Sequence, residues 1–231
     1  MPNYRRAYVP GGSFFFTLVT ADRAPFLCGG TARACLSRAI RDARKRWPFQ
    51  VDAVVLLPDH LHSVWTLPTG DSGFSRRWAW IKKEFTKGWL ESGESEREVS
   101  LSKQQDGRRG VWQRRFWEHS LRDETDFERH CDYIHYNPVK HGLVRCPREW
   151  PFSTFLRFVR AGDYPPDWGC AAGPPPDFGG IESSTMESSG GRGRLVRKAD
   201  PTGKCAWGEV EANGTDAGHP RGEWCNRTAG C

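Results

Sequence analysis

Val51-Asp52-Ala53-Val54-Val55-Leu56-Leu57-Pro58-Asp59-His60-Leu61-His62-Ser63-Val64-Trp65-Thr66-Leu67 is the stretch whose reading decides the fold. Val51 to Leu57 is a short apolar run rich in valine, which suits a buried strand. Pro58-Asp59 makes a turn, and His60 to Leu67 returns as a second strand, so the stretch is a β-hairpin. Residues i and i+2 of a strand point to the same side. His60 and His62 therefore share one face of the sheet.

Working outward, Ser13 to Thr20 reads as a buried strand after a turn at Pro10-Gly11-Gly12. Thr31 to Trp47 reads as a helix capped by Thr31 and stopped by Pro48. On the other side of the hairpin, Gly73 to Leu90 is amphipathic. Phe74, Trp78, Ile81, Phe85 and Trp89 form an apolar stripe, and Arg76, Trp80, Lys83 and Lys87 fall opposite it. Glu91 to Gly110 is polar and expected as a mobile loop. Arg114 to Leu121 returns to strand. Thr125-Asp126-Phe127-Glu128 matches a capping box that opens a helix running to Asn137. Pro138 should end it, because the residue before a proline is pushed out of the helical region.

The first six elements run strand, helix, strand, strand, helix, strand. That order matches the ferredoxin-like split βαβ: an α+β fold with a four-stranded antiparallel sheet, helices on one face, and here an extra C-terminal helix. Past Gly162 the composition changes. Pro165-Pro166, Pro174-Pro175-Pro176 and 12 of the 25 glycines after Cys170 predict a disordered tail. The reading is one domain over 1–162 and a Gly/Pro/Ser-rich tail over 163–231.

The chain of 231 residues carries a net charge of +6. From Cys170 onward it holds 7 Lys+Arg against 8 Asp+Glu, so the positive charge belongs to the part before the tail. A basic domain rich in aromatics suits a polyanion, nucleic acid before membrane. No run approaches the ~18 apolar residues of a membrane span. The 8 cysteines show no C-x-x-C pair. Cys28, Cys35, Cys131 and Cys146 read as reduced, single cysteines, and a cytoplasmic, nucleoid-associated protein is expected.

The chemistry lies in two motifs. His60 and His62 can converge their ring nitrogens on one ion, or they can be ordinary surface or core histidines. In Tyr133-Ile134-His135-Tyr136-Asn137, Tyr133 and Asn137 stand one helical turn apart. They offer a hydroxyl nucleophile and an amide oxygen, or a half-buried tyrosine and a residue that ends a helix well. Two imidazoles and one amide oxygen leave coordination positions open, which suits Mg²⁺ or Mn²⁺ also taking phosphate oxygens. The paired cysteines of a closed zinc site are lacking.

Several stretches then resemble one family. Met1-Pro2-Asn3-Tyr4-Arg5-Arg6, Pro58-Asp59-His60-Leu61-His62, Phe116-Trp117-Glu118-His119, Arg122-Asp123-Glu124, Asp132-Tyr133-Ile134-His135-Tyr136-Asn137-Pro138-Val139 and Trp150-Pro151-Phe152-Ser153 are similar to the REP-associated tyrosine transposases. These are single-tyrosine members of the HUH (His-hydrophobic-His) nucleases. The resemblance covers about residues 1–160, in the family's order. It implies a ferredoxin-like fold, metal ligands at His60, His62 and Asn137, and a nucleophile at Tyr133. Asparagine departs from the glutamine often found at the third ligand position. It further implies cleavage and strand transfer of single-stranded DNA beside a hairpin, through a 5′-phosphotyrosine, as in DNA transposition and recombination. DNA contacts are expected from Arg5 and Arg6 at the N-terminus, from Arg76, Trp80, Lys83 and Lys87, and from Arg114 and Arg115 near Trp112 and Trp117. Two other readings stand beside it: a domesticated hairpin-binding protein without essential catalysis, and a metal phosphodiesterase that uses water. Whether the tyrosine helix docks on its own sheet or on a homodimer partner's is left open.

Overall fold

The computed structural model describes residues 9–105, 109–170, 176, 178 and 181. Four strands, β1 (Ser13–Val19), β2 (Gln50–Leu56), β3 (His60–Thr66) and β4 (Trp117–Ser120), form one antiparallel sheet in the order β2-β3-β1-β4. Helix α1 (Gly30–Arg46) follows β1, and α2 (Phe74–Glu91) follows the β2–β3 hairpin. A short helix, α3 (Leu101–Gln105), interrupts the polar stretch before β4. Then come α4 (Glu124–Lys140) and α5 (Phe155–Ala161). This is the ferredoxin-like topology that the element order predicts.

The two faces of the sheet carry separate cores. Phe14, Phe16, Leu61 and Trp65 pack under α1 and α2 with Leu36, Ile40, Trp78, Ile81 and Phe85. Each such large side chain removed from water contributes about 1.5–3 kcal/mol. The helices approach closely at Gly88, where a Cβ would run into the Arg38 guanidinium and the Cys35 Sγ. On the opposite face Phe15, Val55, Val64, Phe127, Cys131 and Ile134 form the second core, and α4 packs there against β2 and β3 of its own chain. The alternation of β1 between these faces follows from the period of two in a strand.

Several expectations need correction. Thr31 lies inside α1, whose N-cap is Gly29. Helix α4 does not stop before Pro138 but passes through it to Lys140. Proline removes one N–H, yet Asn137 and Pro138 are both buried in the packed face, and the turn re-forms at once through His141 N–H to the Asn137 carbonyl (3.0 Å). The stop is Gly142, whose φ of 66° is the left-handed conformation that glycine adopts without strain. The N-cap is Asp123, not Thr125: its carboxylate accepts the Asp126 N–H at 2.8 Å. The fourth strand is limited to Trp117–Ser120, and ahead of it Trp112 makes an isolated bridge to Thr20 and packs on Phe85. Cys146 is not single; it forms a disulfide with Cys170.

The packed chain continues beyond Gly162. Tyr164 stacks between Phe155, Phe158 and Trp168 and donates to Asp132 Oδ1 at 2.6 Å. Arg5, Arg6 and nearly all of the tail after Cys170 lie outside the described residues. Among the described residues no helix is long and apolar enough to cross a membrane.

Candidate active site

His60 and His62 project from β3 on the face covered by α4, in line with Val64 of the second core. Both are buried, and their rings lie 5.0 Å apart at 82°. His60 Nδ1 donates to Asp59 Oδ1 at 2.6 Å, because a carboxylate only accepts. That leaves its Nε2 with a lone pair. His62 Nδ1 meets the Thr17 hydroxyl at 2.9 Å, brought opposite it by the β1–β3 register. Arg23 braces Asp59 from behind at 2.8 Å, from a turn where Asp22 (φ 49°) and Arg23 (φ 54°) hold left-handed backbone.

Burial disfavours the protonated form of both imidazoles. Burial pushes the His60 imidazole below its ordinary value against the opposing pull of Asp59. Burial also takes His62 well below its ordinary value, helped by the nearby charges of His60, His141, Lys140 and His130. Burial alone would raise Asp59, but hydrogen bonds from His60 and Arg23 bring it below the usual carboxylate value.

Helix α4 supplies the other side of the site. Tyr133, Asn137 and His141 occupy successive turns on one line of the helix surface. The Tyr133 ring stands 5.3 Å from His62 at 67°, and the His141 ring 5.3 Å from His60 at 71°. Asn137, between them along the helix, is fully buried. Its Nδ2 donates to the Tyr133 carbonyl at 3.1 Å, while its Oδ1 has no hydrogen-bond partner among the described residues. Lys140 Nζ lies 5.0 Å from the Tyr133 ring centroid. Phe15 touches the rings of His62 and Tyr133, and Phe178 sets its edge against Tyr133 at 5.6 Å.

Tyr133, His60 and His62 are thus brought together, with Asn137 on the same helix line. Among the described residues, the basic side chains expected to contact DNA are not at this site. Lys83, Lys87 and Arg114 line an open groove of about 1000 Å³ beside α2, together with Lys82, Arg97 and Arg109. Lys82 Nζ is turned toward the carbonyls of Gln113 and Arg114, and burial lowers it to about 8. Arg115 is exposed. Arg76 pairs with Asp71 at 3.3 Å and lies over the Trp47 ring, and Trp80 sets its edge against that same indole.

Sequence reading missed Thr17, Asp59, Lys140 and His141 as neighbours of the site. Asp59 was legible as a carboxylate next to His60. Thr17 was not, since only strand register brings it to His62.

No protein-family model matches the chain. It is 43% identical over 178 residues to an Escherichia coli K12 protein named REP-associated tyrosine transposase, spanning 77% of this chain and 95% of that protein. A relative from Haemophilus influenzae is 41% identical over 169 residues, 94% of its length. Among solved structures, a REP-associated tyrosine transposase bound to a REP hairpin is 42% identical with a TM-score of 0.61, covering 78% of this chain and 96% of that one.

Proposed function

The chain belongs to the REP-associated tyrosine transposases, and from that premise we propose that it cleaves and rejoins single-stranded DNA beside hairpins through a covalent bond to Tyr133. The observation that carries this reading is the Tyr133 ring standing 5.3 Å from His62.

The residues fit a divalent cation. Among the described residues Asn137 Oδ1 is buried without a hydrogen-bond partner, and Asp59 holds His60 Nδ1, which turns Nε2 to a ligand. His60, His62 and Asn137 would hold Mg²⁺ or Mn²⁺, which when bound polarises a phosphoryl oxygen and offsets charge in the transition state. Asp59 and Thr17 orient the two imidazoles from behind. Lys140 places a positive charge beside the phenol ring.

The phenolic oxygen of Tyr133 attacks the scissile phosphorus and gives up its proton to water. The bond from phosphorus to the 3′ oxygen breaks, and that oxygen takes a proton from water. The products are a 5′-phosphotyrosine and a free 3′-hydroxyl. Attack by a 3′-hydroxyl on the phosphotyrosine reverses the step, so strands are rejoined without ATP. The packing of α4 on β2 and β3 of its own chain supports a site assembled within one copy. The groove beside α2, with Lys83, Lys87 and Arg114, supports a phosphate track for the hairpin-bearing strand. Such a protein would work at the nucleoid, in the cytoplasm.

The test is incubation with a labelled hairpin oligonucleotide and Mn²⁺, followed by a denaturing gel, with Tyr133→Phe alongside. An adduct present in the wild type and lost in the variant is expected. Cleavage without an adduct in both proteins would favour a water-using phosphodiesterase, and binding without either would favour a hairpin-binding protein.

A further inference from the structure

On the other side of the Phe15 ring from His62, a second group of ligand-type side chains comes together. His119 stands on β4, and Asp126 and His130 stand on consecutive turns of α4. His119 Nε2 lies 3.1 Å from Asp126 Oδ2, and His130 Nδ1 lies 3.1 Å from Asp126 Oδ1. The donor atoms of all three residues fall within 4.8 Å of one another, the one such group of three or more His, Cys, Asp or Glu among the described residues. The two imidazoles stack at 5.0 Å, 16° from parallel, and the Trp117 indole stacks on His119.

We propose that His119, Asp126 and His130 form a second cation site, for Zn²⁺, which fastens β4 to the helix that carries Tyr133. Two imidazole nitrogens and one carboxylate oxygen are a donor set that zinc accepts, with a fourth position left to water. Ligands at about 2.0–2.2 Å from one zinc ion stand roughly 3 Å from each other, the separation found here for both nitrogen–oxygen pairs. Asp126 is charged in this setting. Burial alone would raise it, but hydrogen bonds from His119, His130 and the Arg122 N–H hold it well below the usual carboxylate range.

Without an ion, the same atoms hydrogen-bond to one another. His130 Nδ1 donates to the Asp126 carbonyl at 2.7 Å, and the Asp126 carboxylate accepts from His119 and from the Arg122 N–H, each at 3.1 Å. Zinc would take the lone pair of one ring nitrogen on each imidazole, with the N–H of that ring on the opposite nitrogen. The exchange replaces these N–H···O contacts with metal–ligand bonds.

The placement has a mechanical consequence. His130 is one turn before Tyr133 on α4. Phe15 touches His130 at 4.9 Å, Tyr133 at 6.0 Å and His62 at 5.3 Å. An ion joining His119 to His130 therefore ties the short edge strand to the helix and fixes the helix rotation that presents Tyr133.

This site is independent of the nuclease reading, and its test is run with the nuclease pair removed. The full chain carrying His60→Ala and His62→Ala is dialysed against Zn²⁺, and in parallel against Co²⁺ as a spectroscopic probe. One bound equivalent is expected, with visible Co²⁺ bands and no thiolate charge-transfer absorption. Adding His130→Ala should remove that equivalent. Adding His119→Gln instead keeps a hydrogen-bond donor for Asp126, so the melting temperature of the metal-free chain should hold while zinc affinity falls roughly tenfold or more. A double variant that binds no ion would overturn the proposal, as would an ion whose affinity neither substitution changes.

Discussion

His62 on β3 and Tyr133 on α4 meet ring to ring, 5.3 Å between centroids at 67°. Neither is held by the other alone. The strand is fixed through the sheet on both sides, and the helix is seated by Phe127, Cys131 and Ile134 in the second core. The geometry of the pair is thus a property of how helix and sheet pack.

Thr17→Val is a near-isosteric change that removes the hydroxyl 2.9 Å from His62 Nδ1. On the proposed assignment, cleavage should fall roughly tenfold or more, with partial recovery at higher Mn²⁺, while hairpin affinity holds. Initial cleavage rates across a Mn²⁺ series check this. A rate equal to wild type throughout would remove Thr17 from the positioning of the imidazole.

Asn137→Leu keeps the buried volume but deletes the amide. Because Oδ1 has no hydrogen-bond partner among the described residues, only the bond from Nδ2 to the Tyr133 carbonyl is lost. Stability should change by less than about 1.5 kcal/mol in urea. Adduct formation should disappear. A stable variant with full activity would exclude Asn137 as a ligand.

Lys83 and Lys87 are exposed on the wall of the basic groove. Replacing each with alanine should weaken hairpin binding and lower the slope of log K against log salt by about one per residue. Fluorescence anisotropy at several salt concentrations measures this. An unchanged slope would place the DNA elsewhere.

Arg77 is fully buried and gives two N–H groups to Asp71, at 3.1 and 2.6 Å, as well as bonds to the carbonyls of Trp47 and Pro48. The Arg77 hydrogen bonds hold the Asp71 carboxyl at about 2. Its folded value is below the unfolded ~3.9, so the stabilisation is complete above about pH 4 and is lost as pH falls through the folded value. Asp71→Ala should therefore destabilise the chain by about 3 kcal/mol at neutral pH, since it strips the charge partner from a buried guanidinium. The gap to wild type should narrow near pH 2.5, as urea melts at the two pH values would show. A constant gap would contradict this.

Local pattern carried most of the fold. Phe74, Trp78, Ile81, Phe85 and Trp89 recur at the helical period and all point into the first core. His60 and His62 share a face because strands alternate. What sequence did not reveal depends on partners far along the chain. Pro138 reads as a helix stop, though in the fold it is buried within α4, and Cys170 stands outside any recognisable spacing from Cys146. His141 looked like a residue past the end of a helix. In the fold it is the next turn of that helix and faces His60.

The three consecutive phenylalanines of β1 leave the strand's hydrophobic pattern almost unreadable as a frame. Slipping by one residue exchanges the two faces of a strand, but here an aromatic ring would still fall on each side. The polar pairs supply the missing index marks. Ser13 bonds to Thr66 at one end, and Thr17 bonds to His62 at the other. A slipped strand would put Thr17 among the aromatics under α1 and α2 and leave an apolar residue behind the imidazole. Greasy burial builds this sheet, and two hydroxyls choose its frame. The hydroxyl that aims His62 is therefore also the one that tells the strand where to stop sliding.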